Sequence, residues 1–182
     1  MKFRKIFLLF LLITHISSCT FFGLYTKKPE TIGAIAPSSS YLAQTMIKNL
    51  DCDNTPKRIL EVGGGTGVMT SEIEKCLTPR DELIVYEIEE DLCKILNEKF
   101  GDKKNIKILC KDIRTIDTKQ KFDYIVSTLP LNSFPAVFVK EIFSLYFNIL
   151  KEDGVLSFFE YLYLQSFRKY IGTDESIRKT KK

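Results

Sequence analysis

Three carboxylates and a run of glycines are the residues of this chain best placed to do chemistry. Glu61 precedes Gly63-Gly64-Gly65-Thr66-Gly67, Glu87 comes twenty residues after Gly67, and Asp112 follows Cys110-Lys111. Glycines at every second position let the backbone turn tightly and let a ligand lie against the main chain. A helix after such a turn points unbonded N–H groups at that ligand. The loop lacks the Gly-Lys-Ser/Thr ending of a triphosphate-binding loop, and its spacing is not the Gly-x-Gly-x-x-Gly of dinucleotide sites. Glu61, two residues ahead of the first glycine, would repel a pyrophosphate and suits a ligand with a cationic group. Glu87 is spaced to accept hydrogen bonds from ribose hydroxyls, as acids do in the dinucleotide folds.

Other chemistries find little support. The one histidine, His15, lies in the apolar N-terminus, and the five cysteines (Cys19, Cys52, Cys76, Cys93, Cys110) form no Cys-x-x-Cys pair. Neither a zinc site nor a Cys–His nucleophile is expected, and no metal ligands are assigned. The thiols read as buried small hydrophobes in a reducing compartment.

The elements that must position these residues alternate. Strands are expected at 57–63, 82–88, 105–110, 122–128 and 155–161. Helices are expected at 41–50, 68–77, 90–99 and 134–150, with Pro37 and its serines starting the first and Asp153-Gly154 turning into the last strand. Short apolar strands alternating with helices predict an α/β fold, a doubly wound, mostly parallel Rossmann-like sheet with right-handed crossovers. A ligand then sits at the carboxyl ends of the strands, where the winding reverses. With 182 residues and 45% apolar content, the chain can bury one sizeable core.

Glu61-x-Gly63-x-Gly65-x-Gly67, followed by Glu87 and Asp112 at successive strand ends, resembles the class I S-adenosylmethionine-dependent methyltransferases over residues 57–161. In that setting Asp112 can accept from the adenine amine, and Ile88 or Ile113 can pack on the ring. Two further stretches, Gly33-Ala34-Ile35-Ala36-Pro37-Ser38-Ser39 and Ser127-Thr128-Leu129-Pro130-Leu131-Asn132-Ser133-Phe134-Pro135, resemble the bacterial phospholipid N-methyltransferases, extending the likeness to residues 28–161. That resemblance implies S-adenosyl-L-methionine as cofactor, held by Glu61, Gly63, Gly64, Gly65 and Gly67 with Glu87 and Asp112 beside them. It also implies methylation of a phosphatidylethanolamine-type amine, and a phospholipid membrane as partner. The carbonyls around Thr128 and Leu129 would orient the amine, and Tyr41 or Ser39 would touch headgroup or donor. The ribosomal RNA adenine dimethyltransferases share the glycine and acidic motifs, but carry Asn/Asp-Pro-Pro-Tyr/Phe after the fourth strand. Leu129-Pro130-Leu131 stands there instead, which makes nucleic acid the less favoured partner.

The ends of the chain carry a separate signal. Lys2, Arg4 and Lys5 precede Ile6–Ile13, apolar on every side of a helix, and apolar character extends to Tyr25. This fits a signal sequence or a membrane span and sets residues 1–27 apart from a methyltransferase domain at 28–182. Ile16-Ser17-Ser18-Cys19 loosely resembles a lipoprotein cleavage site. Basic residues cluster at both ends within a net charge of +4, read either as solvated tails or as attraction to an anionic surface. The expected location is the cytoplasmic face of a membrane, with export as the alternative. The sequence ends before the last two strands of a class I sheet, so the fifth strand is expected to be an open edge. A catalytically inactive, membrane-tethered scaffold is the remaining alternative. Oligomeric state is not legible.

Overall fold

The computed structural model describes residues 5–11, 40–131 and 134–161, with the backbone alone for 5–11, 160 and 161. In chain order the elements are β1 Lys5–Leu11, α1 Ser40–Met46, β2 Arg58–Val62, α2 Val68–Glu74, β3 Glu82–Glu87, α3 Glu90–Phe100, β4 Ile106–Cys110, a 3₁₀ turn Ile113–Thr115, β5 Phe122–Ser127, α4 Ala136–Ile149 and β6 Leu150–Tyr161. The strands form one sheet in the order β1-β6-β5-β2-β3-β4, all pairs parallel. From β2 the chain winds outward through β3 to β4, then returns to the other side of β2 as β5. The winding therefore reverses between β2 and β5, and Thr128 N–H donates to the Val62 carbonyl across that point at 2.9 Å.

Alternation along the central strands sends apolar side chains to both faces, as a doubly covered sheet requires. Ile59, Leu83, Val85 and Val126 pack under Met46, Ile73, Leu96 and Phe100 from α1, α2 and α3. On the other face Leu60, Ile84, Ile125 and Leu156 meet Ile142, Tyr146 and Ile149, one stripe of α4. Tyr146 is wholly buried, and its hydroxyl donates to Ser127 Oγ at 2.9 Å, fixing α4 over the end of β5.

Four features depart from the sequence expectations. Lys5–Leu11 pairs as a parallel strand with β6, from Lys5 opposite Val155 to Leu11 opposite Tyr161. A continuous apolar run suits a strand as well as a helix, and periodicity alone does not separate them. The edge expected to stand open beside β6 is paired by this strand. Second, β6 begins at Leu150, directly after α4 ends at Ile149. The step from Phe122 opposite Leu150 to Tyr124 opposite Val155 makes residues 151–154 an excursion within the strand rather than a turn before it. Third, α1 ends at Met46, and turns carry the chain on to Leu50. Fourth, Cys52 and Cys76 form a disulfide with Cα atoms 4.9 Å apart. These thiols are not buried hydrophobes: Cys52 is exposed and Cys76 half-buried. Only the packing of α1 on α2 brings positions 24 apart in sequence together. Closing a loop of that size stabilises by about 3 kcal/mol in the chain-entropy account.

Residues 12–39, with the Ile16–Cys19 and Gly33–Ser39 stretches, lie outside the described residues, as does the basic C-terminal tail. Among the described residues no helix is long and apolar enough to cross a membrane.

The end of α1 is anchored by two side chains on one acceptor. Tyr124 Oη and Ser157 Oγ both donate to the Met46 carbonyl, at 2.6 and 2.7 Å, in a buried setting. Tyr124→Phe or Ser157→Ala alone leaves that carbonyl one partner and should cost about 1 kcal/mol. The double variant orphans it and should cost more than the two single losses combined. Urea denaturation of the three variants measures this, and strict additivity would contradict the shared-acceptor account.

Candidate active site

The glycine turn leaves β2 at the reversal point and is fastened from three sides. Gly63 N–H and Gly64 N–H donate to the Tyr86 carbonyl at 2.8 and 3.3 Å, tying the turn to β3. Thr128 Oγ1, just past β5, donates to the Val62 carbonyl at 3.2 Å and to the Gly63 carbonyl. Lys99 Nζ donates to the Thr66 carbonyl at 2.7 Å. Gly67 caps α2 with φ +86, and a Cβ there would lie 2.7 Å from Phe100. Gly65 differs: at φ +55, a Cβ would meet nothing closer than the Gly63 carbonyl oxygen at 4.0 Å. Its hydrogen-side face therefore looks onto open space, the cradle expected for a ligand against the main chain. Gly64 turns inward, where a Cβ would strike Val85 and Leu96 at 2.6 and 2.8 Å, so it packs the turn onto the core.

The carboxylates gather on neighbouring strands but do different work. Glu87, last residue of β3, accepts from Gly65 N–H at 2.8 Å through Oε2, and from the Ile88 and Glu89 N–H groups at 2.8 and 3.0 Å through Oε1. Two oxygens offer about four acceptor sites, so one remains for a ribose hydroxyl. Asp112 stands two residues past Cys110, the register partner of Glu87. Its oxygens accept from the Arg114 side chain, at 2.5 Å from Nη2, and its Oδ1 from the Arg114 N–H at 2.9 Å. The Arg114 guanidinium holds the Asp112 carboxyl below the usual range. An adenine amine reaching Asp112 shares these oxygens with Arg114.

Glu61 lies deeper than the sequence suggested. It is fully buried; Thr70 Oγ1 from the first turn of α2 donates to its Oε2 at 2.8 Å, and Oε1 has no partner. Burial, only partly offset by that hydrogen bond, pushes its carboxyl up to about 8, with the charge of Glu87 adding to the rise. Burial thus favours the protonated form of Glu61, which braces α2 under the turn through Thr70. A cationic ligand above the turn favours its ionised form.

The remaining predicted residues divide between mouth and core. Ile88 is 55% exposed beside Glu87, whereas Ile113 is buried under α4 and offers no face to a ligand. Leu129 is half-buried, and its carbonyl already accepts from Leu131 N–H at 2.8 Å, bending the chain back over the reversal point. Thr128 spends its hydroxyl on the glycine turn, which makes it a positioning residue. Tyr41 is exposed at the start of α1. The sequence reading missed Arg114 and Thr70. Asp112-Ile113-Arg114 gave a short-range hint of the first, but the Thr70 contact depends on how α2 lands on β2.

The residues present fit an adenosyl sulfonium: an open glycine cradle, the Glu87 carboxylate with an acceptor site to spare, a further acid at Asp112 and an orphaned buried carboxyl oxygen. The raised Glu61 has a measurable sign. Below the unfolded value near 4.5 both states hold the proton and stability is complete. Between about 4.5 and about 8 the unfolded chain is ionised while the folded one keeps its proton, so stability falls as pH rises, by on the order of 5 kcal/mol at most. Glu61→Gln should remove this loss, seen as a flatter unfolding free energy between pH 5 and about 8 in denaturant titrations. An unchanged pH profile would show that Glu61 is already ionised.

Residues 38–152 match the family described as ribosomal RNA adenine dimethylase. The chain is 29% identical over 143 residues to ornithine lipid N-methyltransferase of Singulisphaera acidiphila, covering 75% of this chain and 74% of that enzyme. It is 37% identical over 113 residues to ribosomal RNA small subunit methyltransferase A of Borreliella burgdorferi, and 34% identical over 96 residues to that of a Nostoc species. The matched segments span only 38% and 34% of those two enzymes. Among solved structures, an S-adenosylmethionine-dependent methyltransferase from Clostridium acetobutylicum aligns with TM-score 0.54 at 21% identity, over 76% of this chain and 56% of that one. The plantazolicin methyltransferase BpumL, solved with SAH, aligns with TM-score 0.52 at 20% identity, over 87% and 54% of the two chains. These two share its fold. The chain belongs to the ribosomal RNA adenine dimethylase family, whose members are S-adenosylmethionine-dependent methyltransferases.

Proposed function

We propose that this methyltransferase N-methylates the amine of a lipid headgroup, phosphatidylethanolamine-type phospholipids foremost, at a membrane surface. The observation that carries the reading is the rim of the donor site. Among the described residues the exposed large hydrophobics are Tyr41, Ile88 and Val137, the last 82% exposed. Ile88 follows the carboxyl end of β3, and Val137 lies in the first turn of the helix after β5. Tyr41, the second residue of α1, is exposed as well. The reversal loop behind them is lined by Leu129, Leu131 and the Phe134–Phe138 pair, ring centres 4.8 Å apart. An apolar rim around a nucleoside site suits an acceptor that arrives from an apolar phase. The basic clusters near the two ends of the sequence suit an anionic bilayer. The lipid-methylating relative from Singulisphaera supports the same choice.

S-adenosylmethionine, when bound, supplies an electrophilic methyl group. The chain's own task is alignment, which can lower the barrier by about 7–11 kcal/mol. Glu87 and the turn from Gly63 to Gly67 hold the donor's nucleoside and amino-acid parts, with Asp112 and exposed Ile88 at the adenine end. A headgroup ammonium, with a pKa near 10.4 as in lysine, must lose a proton before its lone pair can attack. The site's acids are engaged: Glu61 under Thr70, Glu87 by three N–H groups, Asp112 by Arg114. Deprotonation therefore rests on desolvation by Leu129, Leu131 and Phe134, which depresses the amine's pKa and sends its proton to solvent.

A second reading, methylation of an adenine amine in ribosomal RNA, is favoured by the family match over residues 38–152. Against it, Phe134 is already packed on Phe138, and Leu131 stands where those enzymes place a stacking aromatic. Incubation with radiolabelled donor and either phosphatidylethanolamine vesicles or small-subunit ribosomal RNA separates the readings. Label should enter the solvent-extracted lipid. Label confined to RNA would reject the lipid reading, and donor binding without transfer to either would mark an inactive scaffold. Val137→Glu, at a site too exposed to disturb folding, should cut lipid turnover by about tenfold or more with donor affinity unchanged.

A further inference from the structure

Cys93 and Cys110 are the free cysteines among the described residues, and both flank Glu87. Cys93, in the first turn of α3, is buried, and its Sγ donates to the Glu87 carbonyl at 3.5 Å. Cys110, the last residue of β4, is exposed and is the register partner of Glu87. Asn97 Nδ2 joins the two, donating to the Cys93 carbonyl at 2.8 Å and lying 4.0 Å from Cys110 Sγ. The thiols are thus brought from a helix and a strand to one side of the residue that fastens the glycine turn, and Cys110 sits two residues before Asp112.

We propose that Cys93 and Cys110 form a redox-sensitive dithiol, and that its oxidation by a small-molecule disulfide shuts the nucleoside end of the donor site. The exposed Cys110 thiolate attacks one sulfur of the disulfide, releases one thiol and forms a mixed disulfide. Cys93 then gives its proton to solvent and attacks the Cys110 sulfur, expelling the second thiol. Two protein thiols are oxidised to one disulfide, and the small disulfide is reduced to two thiols. Burial first, then the neighbouring Cys110 thiol, push Cys93 up to about 12, which makes Cys110 the entry point and Cys93 the slower resolving partner. A disulfide needs its Cα atoms within about 4.4–6.8 Å. A bridge between Cys93 and Cys110 ties the end of β4, two residues before Asp112, to the first turn of α3 beside Glu87. Cys52–Cys76 lies away from these two residues, after α1 and at the end of α2, and is no part of the device.

The test treats the full-length protein with oxidised glutathione, maps its peptides without reduction, and titrates S-adenosylhomocysteine by calorimetry before and after. The expected result is a Cys93–Cys110 bridged peptide and an affinity lower by about tenfold or more. Cys110→Ser should form no such bridge and keep its affinity through oxidation. Cys93→Ala should stop at glutathione attached to Cys110, which preserves the test if the serine variant folds poorly. Glutathione that stays on wild-type Cys110 without resolving, or a bridged protein that binds as tightly as the reduced one, would overturn the proposal.

Discussion

The carboxylate of Glu87 is the interaction on which the site depends. It ends β3, and its two oxygens collect three backbone N–H groups: one from the glycine turn after β2 and two from the entry to α3. A charged acceptor makes such bonds roughly twice as strong as neutral ones. The turn could not be held this way by side chains of its own, because the conformation that opens it to a ligand requires residues without them. The sheet supplies the partner instead: parallel pairing of β2 with β3 sets Val62 opposite Tyr86, so Glu87 arrives one step beyond the point where the turn begins.

From that constraint the other acids take their places. Glu61 points to the helix side of β2 and is sealed beneath α2, where a proton is cheaper than a charge. Asp112 lies further from the centre and keeps its charge by pairing with Arg114, whose guanidinium also lies over the Phe138 ring at 5.3 Å. That contact links Asp112, through Arg114, to the Phe134–Phe138 pair.

Much of this was legible in the sequence because it is local or periodic. The alternation of apolar runs with amphipathic ones gave the parallel doubly wound sheet, and the glycine spacing located the turn. Glu87 and Asp112 stood out in the sequence because one was expected in the second strand and the other just past the third; the structure ends β3 at Glu87 and β4 two residues before Asp112. What escaped was set by packing between distant segments. The burial of Glu61 depends on Thr70 arriving from α2. The Cys52–Cys76 pairing depends on two helices meeting. The apolar stretch Ile6–Ile13 carried no period to tell a strand from a helix, and only pairing with β6 resolves residues 5–11. Ile113 was placed at the ligand because it adjoins Asp112, but the 3₁₀ turn rotates it into the core under α4.

The account makes Glu87 the fastening of the donor site, so the most direct measurement is calorimetric titration of S-adenosylhomocysteine into wild-type protein and Glu87→Gln. The amide keeps the shape but replaces one acceptor oxygen with a donor, and so sets it against Gly65 N–H or against the N–H groups of Ile88 and Glu89. The account predicts a cooperatively folded variant whose affinity falls by about tenfold or more. Wild-type affinity in the folded variant would contradict it.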